Sequence, residues 1–89
     1  MNIAILEDES IHIYRLTEII SSLLKDLGVS SYDLKTFKDK KALLAELFIP
    51  SNQNIYFLDL ELMDHFTLPF TFLDYDSQAA LIFLLHTPS

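Results

Sequence analysis

The stretch Asn54-Ile55-Tyr56-Phe57-Leu58-Asp59-Leu60-Glu61-Leu62 constrains the fold more than any other part of this chain. A continuous apolar run that halts at a carboxylate reads as a strand buried on both faces, and such strands belong to parallel sheets covered by helices. The strand delivers Asp59 to its C-terminal end, where open α/β sheets bind their ligands. A second run of the same kind, Asn2-Ile3-Ala4-Ile5-Leu6, stops in the acidic triplet Glu7-Asp8-Glu9 just before a helical pattern begins. Laid side by side and parallel, the two strands bring their carboxylates to one edge. Three acids at one point repel unless a proton or a cation neutralises them, so the pattern predicts a divalent metal site. Taken singly, each element has a plainer reading: acids favour helix N-termini for dipole reasons, and a carboxylate can simply end a strand.

The remaining elements follow from spacing. Ile13, Leu16, Ile20, Leu23 and Leu27, widened by Ile19 and Leu24, form the apolar stripe of a helix starting near Ser10, with Ser10 or a preceding acid as its cap. Gly28, the single glycine, falls at the helix C′ position. Val29 to Phe37, with Tyr32, Leu34 and Thr36 on one parity, suits a second strand near the sheet edge. A short helix from about Asp39 to Phe48 would bury Leu43, Leu44 and Leu47, and Pro50 to Asn54 close it as a polar loop. The order β-α-β-α-β implies a parallel sheet with right-handed crossovers. From Met63 to Asp76 the pattern breaks: Pro69 sits mid-segment among Phe66, Phe70 and Phe72, with no lysine, arginine or helical period. Asp76-Ser77-Gln78 then reads as a turn and Ala79 to Leu85 as a fourth buried strand.

Composition narrows the function. At 89 residues, with 51% hydrophobic, the chain holds one small domain spanning 1–89. A net charge of −7 argues against nucleic acid or an anionic membrane as direct partner, and no DNA-binding module is expected within this segment. The absence of cysteine excludes disulfides and thiolate metal sites. The apolar run from Ala79 to Leu85 is far short of the ~20 residues of a membrane helix, and Met1 to Leu6 lacks the basic start of a signal peptide. A cytoplasmic chain is the expectation. His12, His65 and His86 show no metal-ligand spacing and read as ordinary surface or loop histidines. The aromatics Phe66, Phe70, Phe72 and Tyr75 lack the basic companions of a base-stacking surface.

Ile-Leu-Glu-Asp-Glu closing the first strand, the amphipathic helix after it and Tyr-Phe-Leu-Asp closing the third strand resemble the receiver domain of bacterial two-component response regulators. The wording Tyr-Phe-Leu-Asp-Leu-Glu-Leu is most similar to receivers of LytTR-type, peptide-pheromone (quorum-sensing) regulators. The resemblance covers residues 1–62, is weak over 63–77 and returns in part over 79–85. It implies an incomplete flavodoxin-like, doubly wound α/β fold of about four strands, and a phosphorelay role with a sensor histidine kinase as partner. Asp59 would be the phosphoacceptor. Asp8 and Asp59 would ligate Mg²⁺ directly, the backbone carbonyl of Glu61 would be a third ligand, and Glu7 would act through a coordinated water.

The chain also departs from that family. Where the fourth strand of a receiver ends in Thr or Ser, Leu85 stands, with Thr87 two residues beyond as a possible displaced hydroxyl. The family's fifth strand and its lysine lie past the end of this sequence, so the resemblance implies a truncated receiver. Lys25, Lys35, Lys38, Lys40 and Lys41 are all placed elsewhere. Uncovered strand edges and an apolar face are expected, with aggregation or reliance on another chain as the result. For Met63 to about Leu73 two readings stand: translation out of the ancestral frame or local rearrangement, and a divergent loop packing its aromatics on the sheet. Besides the phosphoacceptor role, two further functions remain open. One is a remnant that no longer completes phosphotransfer, either without function or docking a kinase or a full-length response regulator through the Ser10 to Leu27 helix. The other is a Mg²⁺-dependent phosphohydrolase of haloacid-dehalogenase type, with Asp59 as nucleophile and Glu61 as acid.

Overall fold

Ile3, Ala4, Ile5 and Leu6 are each at most 1% exposed, the burial on both faces that an uninterrupted apolar strand requires. In the computed structural model, which describes residues 1–63 and 72–85, they form β1 (Asn2–Leu6). There follow α1 (Ser10–Asp26), β2 (Asp33–Phe37), α2 (Lys40–Ala45), β3 (Asn54–Asp59), a 3-10 turn at Leu60–Met63 and β4 (Ala80–Leu84). Residues 72–75 are helical. The strands make one all-parallel sheet in the order β2-β1-β3-β4. This is an incomplete flavodoxin-like α/β fold, as the alternating strand and helix patterns require. No helix among the described residues is long and apolar enough to cross a membrane.

Period-two alternation divides the core between the two faces. Ile3 and Ile5 pack with Ile20 and Leu24 of α1, joined by Leu16, Val29, Tyr32, Leu34 and Phe57. On the other face Ala4 and Leu6 pack with Tyr56, Leu58, Leu43 of α2, Met63 and Phe72. Phe72 meets Tyr56 edge-on at 5.0 Å between ring centroids, a favourable aromatic geometry. Phe72 is the one aromatic of Met63 to Leu73 among the described residues, and it packs on the sheet. Phe66 and Phe70 lie outside the described residues. Burial raises the Tyr56 phenol above its ordinary pKa, although the Phe48 N–H that donates to its hydroxyl at 3.3 Å pulls the other way.

Helix termini follow local chemistry. At the end of α1 the Gly28 N–H donates to Lys25 O at 3.0 Å and the Val29 N–H to Leu24 O at 2.8 Å. These are the two bonds of a Schellman motif, which needs the left-handed φ of 78° that Gly28 supplies. At α2 the Asp39 carboxylate accepts from the Ala42 N–H at 2.8 Å, an N-cap.

Several boundaries and burials differ from the sequence expectation. Of the α1 stripe only Ile20 and Leu24 are buried, whereas Ile19, Leu23 and Leu27 are more than half exposed. The helix is apolar over a wider arc than one sheet face can cover. β2 begins at Asp33 rather than Val29, and α2 ends at Ala45, with Leu43 buried, Leu47 partly buried and Leu44 exposed. β4 is no buried strand: Ile82 and Phe83 are 43% and 44% exposed, because β4 is an edge of the sheet among the described residues.

At the N-terminal edge of the sheet a buried polar network replaces apolar packing. The Asn54 amide donates to Ile49 O at 2.7 Å and to Asp76 Oδ2 at 2.8 Å, and its carbonyl accepts from Asn2 Nδ2 at 2.9 Å. Asp76 also accepts from the Ser51 N–H at 3.2 Å and the Gln78 N–H at 3.1 Å. The turn residue of the sequence is thus an anchor that ties the approach to β4 onto the start of β3. Burial works to raise the Asp76 pKa, but the bonds from Asn54, Ser51, Gln78 and Ala79 outweigh it and hold the carboxyl below its ordinary range.

Folding therefore favours the charged form of Asp76. Its stabilisation is complete above the ordinary carboxylate pKa and fades as pH falls through the lower folded-state value. Asp76→Ala, which leaves buried donors unsatisfied, should cost roughly 2–4 kcal/mol in denaturant unfolding at neutral pH. Asp76→Asn should cost less, and its deficit should shrink as pH falls below 3.8, the ordinary value for this carboxyl.

Candidate metal centre

β1 and β3 run in parallel register, Leu6 beside Leu58, so the next rung sets Glu7 beside Asp59. Glu7 is held in line by its N–H bond to Phe37 O at 3.0 Å, which continues the β1–β2 pairing one residue past the strand. Glu7 and Asp59 are 1% and 2% exposed, and Asp8 is exposed at the mouth. One carboxylate oxygen from each of the three lies within 4.8 Å of the others. Two carboxylates at that separation repel by about 3 kcal/mol at an effective dielectric constant near 20, and both Glu7 and Asp59 are deep in the fold.

Backbone amides orient the two buried acids. The Glu9 N–H donates to Glu7 Oε1 at 3.1 Å, and the Glu61 N–H donates to Asp59 Oδ1 at 2.9 Å. The 3-10 turn after β3 presents that second amide, so Glu61 reaches the site through its backbone while its side chain is exposed. Glu9 takes the N-cap position of α1 without a side-chain cap bond, and Ser10 is already helical.

The all-oxygen donor set suits a hard divalent cation. Two buried carboxylates supply fixed charge, and the exposed Asp8 leaves an open side where Mg²⁺ could keep part of its hydration shell. The residues present fit such an ion.

His12, expected from residue order to be an ordinary surface histidine, lies at the rim with Nδ1 3.6 Å from Glu7 Oε1 and 3.6 Å from Glu9 Oε2. The signal for it is positional: a residue in the first turn of α1 faces back toward the strand end that feeds the helix. An open groove of about 330 Å³ runs from Glu7, His12 and Arg15 along Leu16 and Ile19 to Phe83, Leu84 and Leu85. Leu84 is in register with Asp59, so the β4 end nearest the acids presents Leu84 and then Leu85, neither with a hydroxyl. Thr87, His65 and His86 lie outside the described residues. Lys25 ends α1, Lys35 sits in β2 with Nζ 5.8 Å from the Phe48 ring centroid, and Lys38, Lys40 and Lys41 surround the start of α2.

Comparison of the chain with protein-family models, with curated proteins and with solved structures finds no match.

The cluster makes a direct prediction for cation binding. At ten times the dissociation constant, Mg²⁺ should raise unfolding stability by about 1.4 kcal/mol. Asp59→Asn removes one buried charge; it should stabilise the cation-free protein and abolish the Mg²⁺ increment. Thermal unfolding with and without chelator reads both effects.

Proposed function

We propose that this chain is a response-regulator receiver that accepts a phosphoryl group on Asp59 in a cytoplasmic phosphorelay, with Mg²⁺ as cofactor and a sensor histidine kinase as donor. The single observation that supports it most is the convergence of Glu7, Asp8 and Asp59 at the C-terminal ends of two buried parallel strands. The wording around Asp59 favours regulators of the LytTR, quorum-sensing kind.

Phosphoryl transfer needs positioning and charge neutralisation more than covalent activation. An Asp59 oxygen attacks phosphorus as the bond between phosphorus and the donor imidazole nitrogen breaks. The electron pair of that bond leaves with the imidazole, and the acyl phosphate stays on Asp59. The Glu61 amide on Oδ1 fixes the rotation of the carboxylate, so the attacking oxygen is aimed before the donor arrives. Bound Mg²⁺ would offset the repulsion between the acids and the incoming phosphoryl oxygens. In this reading Asp8 and Asp59 would hold it directly, with the Glu61 backbone carbonyl as a third ligand and Glu7 acting through water.

A second reading has one observation in its favour: Leu84 and Leu85 stand where a hydroxyl would hold a phosphate oxygen. A chain so equipped could keep the cation site and dock a kinase or a full-length regulator without completing transfer.

Incubation with a small acyl phosphate or phosphoramidate and Mg²⁺ separates the two. Phosphoacceptor function predicts an acid-stable, hydroxylamine-labile label mapped to Asp59, lost in Asp59→Asn and reduced at least about tenfold in Asp8→Asn. Absence of label with retained Mg²⁺ binding selects the docking reading, and steady turnover of a phosphate ester selects the phosphohydrolase.

A further inference from the structure

The two edges of the sheet are built differently. β2, one edge, carries Asp33 and Lys35 within Asp33–Phe37, the charged side chains by which edge strands resist pairing. β4, the other edge among the described residues, reads Ala-Leu-Ile-Phe-Leu, with neither a charge nor a proline. Its side chains are also open to solvent: Ile82 is 43% exposed, Phe83 44% and the following Leu85 74%. Beside them, across the groove that joins α1 to the end of β4, Ile19 and Leu23 are 55% and 56% exposed. By the register of β4 with β3, Ile82 shares the α1 face with Ile19 and Leu23 while Phe83 opens on the α2 face, so the edge is apolar on both sides.

From this we propose that β4 is the interface of a homodimer in which two copies pair antiparallel, edge to edge, about a two-fold axis through Ile82. The strand is self-complementary in that register. Ile82 of one copy faces Ile82 of the other, Leu81 faces Phe83, and Ala80 faces Leu84, so every cross-strand pair is apolar and the smallest residue meets a large one. The axis stands perpendicular to the sheet, so both α1 helices come to the same side of a continuous eight-stranded sheet, with their Ile19 and Leu23 stripes flanking the paired Ile82 side chains. Pairing buries the two edge backbones together with the apolar flanks of β4 on both faces, an interface of the small, weakly associating class. Charge selects the same edge: a second copy of a chain with net charge −7 meets acids over much of the surface, whereas β4 brings none into the ladder.

Sedimentation velocity of the full chain from low micromolar to several hundred micromolar tests this interface. Dimers should form, and Ile19→Glu and Ile82→Lys should each weaken them at least about tenfold. Tyr14→Glu, at an exposed site on another face of α1, should leave them intact. Circular dichroism checks that each variant folds; Ile19→Glu, on an exposed helix face, remains informative if Ile82→Lys does not fold. A wild-type chain that stays monomeric throughout, assembles without limit, or dimerises unaffected by Ile19→Glu overturns the proposal.

Discussion

The parallel register of β1 against β3 is the constraint on which the rest of the structure depends. With Leu6 opposite Leu58, the residues that end the two apolar runs are forced onto one rung, and they are carboxylates. A one-residue slip would turn Ile3, Ile5, Tyr56 and Leu58 to the wrong faces, so hydrophobic burial on both sides pins the pairing. The convergence of acids is then a product of apolar packing. Repulsion between Glu7 and Asp59 is carried by a sheet that has no other way to bury its strands.

Several features of this arrangement were readable in residue order alone. Ile3 to Leu6 and Ile55 to Leu58 are long enough and apolar enough to admit one interpretation, and Gly28 marks the end of α1 because a left-handed C′ position has few other occupants. The exposure of Ile19, Leu23 and Leu27 was not readable. Periodicity counts apolar residues on a helix, but the width of the buried arc depends on what lies opposite. Likewise β4 looks buried from its composition, and only the strand order 2-1-3-4 makes it an edge. The site was legible in its acids and not in its rim. Glu7, Asp8 and Asp59 are strand-end residues, whereas His12 comes to them through the entry angle of a helix, and Leu84 through a register with Asp59 that spans a stretch of irregular sequence.

The Asn54–Asp76 pair was hidden for a related reason. Its members are 22 positions apart, and each on its own looks like an ordinary turn residue. Only tertiary placement turns them into partners. Once buried together, their donors and acceptors are matched almost one for one, which is the condition under which a polar network in a core stabilises rather than weakens it.

These two polar clusters occupy opposite poles of the same sheet. The pole at the strand C-termini gathers like charges, and the pole at the N-termini, where Asn2, Asn54 and Asp76 interlock, gathers complementary ones. Separation by the length of a strand makes substitutions at the two ends close to additive. Such a division gives the chain evolutionary latitude: residues around Asp59 can change while Asn54 and Asp76 keep the architecture in which a function at the other pole has to be built.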